Sequence, residues 1–303
     1  MTDTHIPEEL NAIDVLCLGH ASYDLVFSVS RHPAEDEKTL ADNLLSCGGG
    51  PAANAAVCIA RLGLHAGFCG YLGQDVYGNS HLQELQAYHV DTRFVVRGDS
   101  PTPLSAVLVK PDGKRSLINY KGNTLALPAN SLHFQGVQPK VLLFDGHEPH
   151  LSLDSLAHFK TKPLQTVLDA GSLHEGTLCL LDKVEYLVCS EKFALQYAGD
   201  EKTALQQLAQ LAPVVVITLG ERGLLWKRGL ESGTLPAPGI AALDTTGAGD
   251  AFHGAFAAAL AEGMAWQDLL RFSSAAGAFC CTQLGARPGM PTRKQLQAIL
   301  HSL

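Results

Sequence analysis

The sequence has no surplus of positive charge: 22 Lys and Arg stand against 30 Asp and Glu in 303 residues, a net charge of −8. A nucleic-acid binder needs a concentrated basic excess to meet phosphates, so that class is excluded. No apolar run reaches the roughly 18 residues that span a bilayer, and the stretch from Pro213 to Leu219 is only strand-sized. The first ten residues, MTDTHIPEEL, carry three acids and no Lys or Arg. That is wrong for a secretory or mitochondrial signal and reads as a short disordered lead-in to a cytoplasmic protein. None of the eight cysteines forms a C-x-x-C, and most lie in apolar runs such as VLCLG and YLVCS, where a reduced thiol acts as a small hydrophobe. The thirteen histidines show no H-E-x-x-H spacing, so no metal site is assigned to them. A Walker G-x-x-x-x-G-K-[ST] is missing, which excludes a P-loop enzyme. His20-Ala21-Ser22-Tyr23-Asp24 follows the first apolar strand in place of G-x-G-x-x-G, which excludes a dinucleotide-binding oxidoreductase.

What is present is apolar. Hydrophobic residues make up 46% and charged residues only 17% of the chain, against about 25% charged in an average soluble domain. Short apolar runs alternate with helical patterns, the rhythm of a parallel sheet covered by helices on both faces. Strands are expected at 14–19, 66–71, 141–145, 166–169, 186–189 and 214–218. Helices are expected at 51–62, 76–88, 152–160, 204–212, 251–261, 266–283 and 293–300. Two stretches break the rhythm: 23–47 alternates apolar and polar residues, and 103–120 reads as two strands around Pro111-Asp112-Gly113-Lys114. They are expected to meet as a small antiparallel sheet standing off the main body, either a lid or an extension of the main sheet edge. No repeat, low-complexity tract or linker interrupts the chain.

Two glycine-rich turns lead into apolar helices. Cys47-Gly48-Gly49-Gly50-Pro51-Ala52-Ala53-Asn54 opens the first, with Pro51 suited to the first turn and Gly63 to the stop. Asn54 is an amide inside an apolar turn: either it satisfies nearby backbone or, with the glycine amides, it faces a polyhydroxylated ligand. Asp244-Thr245-Thr246-Gly247-Ala248-Gly249-Asp250 opens the second. A Gly-Ala-Gly turn before a helix leaves N–H groups pointing outward, a phosphate-sized anion hole. Asp250 is then either a plain capping aspartate or a carboxylate that takes a proton from a hydroxyl attacking a phosphoryl group.

The stretches GGGPAANAA…ARLG and DTTGAGDAFHGAFAAAL, in this order and at this separation, resemble the two signature regions of the PfkB carbohydrate-kinase family, within the ribokinase-like superfamily. The resemblance covers the chain from about Asp14 to Leu300. It implies an α/β fold, a three-layer α/β/α sandwich with a mainly parallel central sheet and a small β-sheet lid. Residues 1–303 would be a single kinase domain, with the lid built from insertions at about 23–47 and 99–121. It implies an ATP-dependent phosphotransferase with an alcohol acceptor, in which Asp250 is the general base and the Gly247, Ala248 and Gly249 amides form the anion hole. Asp24, Gly49, Gly50 and Asn54 match sugar-binding positions. Thr218, Gly220 and Gly223 match the strand and turn near the nucleotide phosphates, with Ser190 beside them. Ala275, Ala276 and Phe279 fall where adenine is walled, although core packing explains each more simply.

One departure stands out. Many relatives carry Asn-x-x-Glu where this chain reads Ser190-Glu191-Lys192-Phe193, which leaves Glu191 to reach Mg²⁺ through water. ATP and Mg²⁺ are the implied cofactors, with a monovalent cation such as K⁺ near the Asp244 loop. Lys38, Asn119 and His147 fall where a charged substituent is held in a branch that includes sulfofructose kinase. The acceptor stays open among ribose, fructose, 2-keto-3-deoxygluconate and sulfofructose. A nucleoside kinase of the same superfamily and a non-catalytic sugar or nucleotide sensor are the alternatives. The expected partners are a small sugar and ATP, with no nucleic acid and no membrane, and a homodimer formed through the lid.

Overall fold

The computed structural model describes residues 12–300, so the lead-in MTDTHIPEEL lies outside the described residues. The first apolar run forms β1 (Val15–Leu18), after which the chain leaves the body as a hairpin, β2 (Ser22–Ser28) and β3 (Asn43–Gly49). It returns through α1 (Pro51–Arg61), β4 (Ala66–Gly73), α2 (Val76–Ala87) and β5 (Asp91–Gly98), then leaves again as β6 (Leu104–Val109) and β7 (Arg115–Tyr120). The second half alternates strand and helix: β8 (Val141–Phe144), α3 (Pro149–Phe159), β9 (Gln165–Ala170), α4 (Glu175–Leu178), β10 (Tyr186–Ser190), α5 (Glu191–Ala198), α6 (Glu201–Leu208) and β11 (Val214–Thr218). A hairpin, β12 (Leu224–Arg228) and β13 (Glu231–Leu235), precedes α7 (Ala248–Ala261), α8 (Trp266–Cys280), α9 (Ala286–Gly289) and α10 (Arg293–Leu300).

The described residues form a nine-stranded sheet in the order β13-β12-β11-β10-β9-β8-β1-β4-β5. It is parallel from β11 to β5, with the antiparallel pair β12 and β13 at one edge. Both faces are covered, which is why the strands read as unbroken apolar runs. Successive residues serve opposite faces: Val15, Val141, Val188 and Val216 pack with α1, α7 and α8, while Leu16, Leu142, Leu187 and Val215 pack with α3, α5 and α6. These are the three layers. Strand order reverses at β1 and β8, so the crevice for a ligand opens beyond their C-terminal ends. Among the described residues no helix is long and apolar enough to cross a membrane.

The two excursions form a second sheet, β3-β2-β6-β7. The expectation of an antiparallel sheet is corrected at its centre. Each hairpin is antiparallel within itself, but β2 and β6 pair in parallel because both leave the body in the same direction. Val26, Val107 and Val109 bury one face, whereas every residue of β7 is exposed.

Other differences are local. β5 is missing from the strand expectations because it is an edge strand with only Phe94 buried. The short mixed-polarity β12 and β13 leave no periodic signal, and α5 is too brief to show one. α7 starts at Ala248 instead of Ala251, which puts the Ala248-Gly249-Asp250 segment inside the first turn.

Candidate active site

Two helices bring the site together. Ala52 to Ile59 of α1 and Ala251 to Leu260 of α7 are buried throughout. Small residues let the two helices approach closely: a Cβ added at Gly254 would lie 2.8 Å from the Ala55 carbonyl oxygen and from the Cys58 Cβ. At this crossing Asn54 Nδ2 donates to Asp250 Oδ2 at 2.7 Å. Asn54 therefore does not serve local backbone. Its buried Oδ1 has no partner, and a buried amide oxygen without a donor marks the place of one supplied from outside. Asp250 is partly buried, and burial pushes its carboxyl above the ordinary range. The Asn54 hydrogen bond and the His253 ring pull it back, while Asp24 and Asp145 push it further up. A carboxylate of raised basicity suits proton abstraction.

The turn before α7 is fixed by packing. Gly247 caps the helix at φ +79°, and a Cβ there would lie 2.4 Å from that of Ala286, so the position requires glycine. Asp244 is fully buried and accepts from the Thr246 N–H at 2.9 Å, the Thr246 hydroxyl at 2.7 Å and the Gly285 N–H at 2.8 Å. Of the three expected anion-hole amides, that of Ala248 already donates to the Thr245 carbonyl at 3.3 Å. The Gly249 amide, like that of Asp250, has no carbonyl one turn back. A cleft of about 540 Å³ opens in front of this turn, a volume in the range of small-ligand sites. Thr218, Gly220, Gly223, Ala248 and Gly249 line it together. Ala275 and Ala276 are buried in the core instead, and the half-buried Gly277 and Ala278 of α8, with Cys281 just past its end, face the cleft.

Ser190 ends β10 in register with the cleft-lining Thr218, and both it and Glu191 have partners within the protein. The Ser190 hydroxyl donates to the Gly171 carbonyl at 2.9 Å and accepts from the Phe193 N–H at 3.0 Å, capping α5. Glu191 pairs with Arg222 at 2.8 Å. Phe193 is fully buried and stacks near Tyr197, which accounts for a phenylalanine at that position. Among the described residues no group of three or more His, Cys, Asp or Glu side chains could hold a metal ion. Asp244 is committed to three hydrogen bonds and Glu191 to Arg222, so these two carboxylates do not by themselves make a metal centre.

On the other side of Asn54 the expected glycine loop is the end of β3: Gly48 and Gly49 pair with Tyr23 and Ser22 of β2, and Gly50 leads into α1. Asp24 is buried and accepts from the Ser22 hydroxyl at 2.9 Å; burial raises its carboxyl, and the Ser22 and Ser105 hydroxyls and Arg287 offset this. A Cβ at Gly49 would lie 2.3 Å from the Asp24 carboxylate oxygens. Gly50 caps α1 at φ +93°.

Several functional-looking groups carried no sequence signal. Asp145, just past β8, accepts from the N–H groups of His20 at 2.7 Å, Ala52 at 3.2 Å and His147 at 2.9 Å, tying β1, β8 and α1 together. Its one trace is an acid placed directly after an apolar strand. Behind Gly48, buried Arg287 donates to the Gly48 carbonyl at 3.1 Å and to His81 Nε2 at 3.0 Å, while Glu84 accepts from the Gly48 N–H. Of the three positions expected to hold a charged substituent, Lys38 and Asn119 are exposed, and neither lines the pocket that holds His147. His147 instead stacks on His174 at 4.7 Å and lies 5.2 Å from His20, in a small pocket that also includes Lys121 and Glu148. Burial, and then His147, hold the His20 ring down to about 3; burial pushes Glu148 up to about 7.

The pfkB family carbohydrate kinase model matches residues 12–293. The chain belongs to that family. As a pfkB carbohydrate kinase it is a phosphotransferase with an alcohol group as acceptor. It is 30% identical over 291 residues to a ribokinase of Bacillus subtilis, covering 95% of this chain and 99% of that one. A crystal structure from Agrobacterium tumefaciens superposes with a TM-score of 0.89 at 29% identity, covering 95% of this chain and 97% of the other. An Arabidopsis thaliana ribokinase solved with ribose and ATP superposes with a TM-score of 0.81 at 26% identity, covering 95% and 98%.

Proposed function

We propose that this pfkB kinase transfers the γ-phosphoryl of ATP to a hydroxyl of a small free sugar of the ribose or fructose type. The observation that carries the reading is the 2.7 Å hydrogen bond between Asn54 and Asp250, which joins the sugar-facing start of α1 to the edge of the cleft. The sugar would lie against Asp24, Gly49, Gly50 and Asn54, giving the unpartnered Asn54 Oδ1 a hydroxyl donor. ATP would occupy the cleft lined by Thr218, Gly220 and Gly223, its phosphates directed to the Gly249 amide and the positive end of α7. Asp250 takes the proton as the sugar oxygen bonds to the γ-phosphorus, the bond to the β-phosphate oxygen breaks, and ADP leaves. Mg²⁺ carried on the ATP phosphates would supply charge neutralisation there. A sugar kinase whose described cysteines are all free thiols fits the reducing, ATP-supplied cytoplasm.

The second sheet serves as the lid. Arg115 on β7 donates to the Thr245 hydroxyl, so the far hairpin already reaches the loop leading to the anion turn. Leu44, Leu117, Ile118 and Tyr120 stand exposed on its outer strands, and they supply the surface for a homodimer through the lids. Sedimentation at micromolar concentration checks this; monomer alone overturns it.

The test of the function is ADP release with ribose, fructose, 2-keto-3-deoxygluconate, sulfofructose and adenosine. Turnover with a sugar and none with adenosine is expected. Turnover with adenosine alone would make the protein a nucleoside kinase, and tight ATP binding without turnover on any acceptor would make it a sensor.

A further inference from the structure

One turn beyond Asp250, α7 carries His253, 3% exposed and unused by the steps above. Its Nδ1 lies 2.6 Å from the Gly249 carbonyl oxygen and 3.2 Å from Asp169 Oδ2, and its Nε2 lies 3.2 Å from the Val188 carbonyl oxygen on β10. Every oxygen near either ring nitrogen is thus an acceptor or a carboxylate. A neutral imidazole has one N–H, and its other nitrogen is itself an acceptor. In the neutral ring one nitrogen would face an oxygen lone pair to lone pair inside a buried site, an arrangement that costs as much as an unsatisfied polar group. A proton on Asp169 would relieve only its own contact and leave Nδ1 bare against Gly249. The doubly protonated ring satisfies all three oxygens, with Nδ1–H shared between Gly249 and Asp169 and Nε2–H given to Val188.

Asp169 is itself 7% exposed on β9. Burial first, then Asp250 and Asp145, push its carboxyl well above the usual range. Burial holds the His253 ring below the ordinary imidazole range, although the Gly249 carbonyl, Asp250 and the Val188 carbonyl draw it back up. For a coupled pair the count of protons held together is the meaningful quantity. Ring and carboxyl hold one between them, and the hydrogen-bond inventory puts it on the ring.

We propose that His253 and Asp169 form a proton-holding pair that positions Asp250, its imidazolium clamping the first turn of α7 through Gly249 and offsetting the acidic groups that surround the base. This rests on Asp250 being the general base. The groups that face Asp250 and the pair are Asn54 and Cys58 from α1, Asp24 from β2, Asp145 after β8, Cys189 from β10 and Cys280 from α8. The three thiols are pushed up by burial and stay uncharged. His253 is therefore the positive group in a set of carboxylates. Without it Asp250 holds its proton to higher pH, and less of it is available as base near neutrality.

Two measurements test the pair on the full chain. In ¹⁵N-histidine-labelled protein without ligand, both ring nitrogens of His253 should carry protons at pH 7.5, and Asp169→Asn should leave one bare. A wild-type ring with one bare nitrogen between pH 6 and 8 overturns the proposal. In ADP release with the sugar of highest turnover in the acceptor panel, His253→Gln should move the acid limb of kcat/KM up by about one pH unit, with kcat on the alkaline plateau within about threefold of wild type. A merely structural His253 would lower the plateau and leave the limb in place, which also overturns it. Failure of every acceptor would defeat the kinase reading instead, and the nitrogen measurement would still decide the pair.

Discussion

α1 and α7 begin alike and serve opposite ends of the reaction. Each starts at a glycine of positive φ, Gly50 at +93° and Gly247 at +79°, with no side-chain cap, and each runs on as a buried, alanine-rich helix. They differ in what meets the first-turn amides. At α1 the protein supplies its own anion, the Asp145 carboxylate on the Ala52 N–H. At α7 no side chain among the described residues accepts from the Gly249 or Asp250 amide, and the cleft opens there. A glycine-rich helix start is thus not in itself a phosphate site. An internal carboxylate can fill it, leaving that end for a neutral polyol and the other for phosphate.

The hardest way to break this division of labour is Asp250→Asn. It removes the base, and kcat should fall by about 10² or more, with the KM for ATP near wild type. Stability should move the other way. Burial raises the folded-state pKa of Asp250 above its unfolded value, so its favourable contribution is present while it is protonated and is lost as pH rises through the folded pKa. At pH 7.5 the ionised, buried carboxylate is a cost that the amide does not carry. The variant should melt at the same temperature as wild type or a few degrees higher, with the gain vanishing near pH 4. A lower melting point at pH 7.5 would show that Asp250 is structural.

Gly254→Val separates the two helices without touching either end. The added atoms meet the Ala55 carbonyl and Cys58, and overpacking of this kind costs about 1–3 kcal/mol in urea unfolding. Shifting Asp250 relative to the sugar-facing end of α1 should lower kcat by about tenfold, since small misplacements of a reacting group are costly. Wild-type turnover in a destabilised variant would mean that the crossing supports the fold alone.

The body was legible in the sequence because its strands are buried on both faces and so read as runs of Val, Leu and Ile. The two glycine turns were legible because each has its own chain-local pattern. Asp145, Asp169 and Arg287 were not: the Ala52, His253 and Gly48 groups that they meet lie 93, 84 and 239 residues away. Asn54 itself was legible as an amide in an apolar turn, but its pairing with Asp250, 196 residues away, was not. Ser190 shows the reverse. A position marked by the family pattern turned out to hold a helix cap, because its hydroxyl meets the Phe193 N–H three residues on.

Asp145→Asn sharpens the comparison at α1. A carboxamide has one acceptor oxygen where the carboxylate uses two for the His20, Ala52 and His147 N–H groups. Leaving a buried donor unmet costs about 1–3 kcal/mol, readable in urea unfolding. The KM for sugar should rise several-fold and that for ATP should hold. Equal rises in both would show that Asp145 organises the whole crevice and that α1 and α7 are not separate ends.

The smallest effect belongs to Asn54→Ala. Alanine is a good helix former and Asn54 Oδ1 has no partner to lose, so the one lost bond, Nδ2 to Asp250, should cost about 1–2 kcal/mol of stability. The Asn54 N–H group stabilises the ionised form of Asp250, and without it the carboxyl moves further up. The acid limb of kcat/KM should rise by several tenths to about one pH unit, while kcat at high pH, where Asp250 is ionised in both proteins, changes little. If the limb stays in place, the basicity of Asp250 is set within α7 and its sheet-side neighbours alone, and α1 contributes to the site only through the sugar.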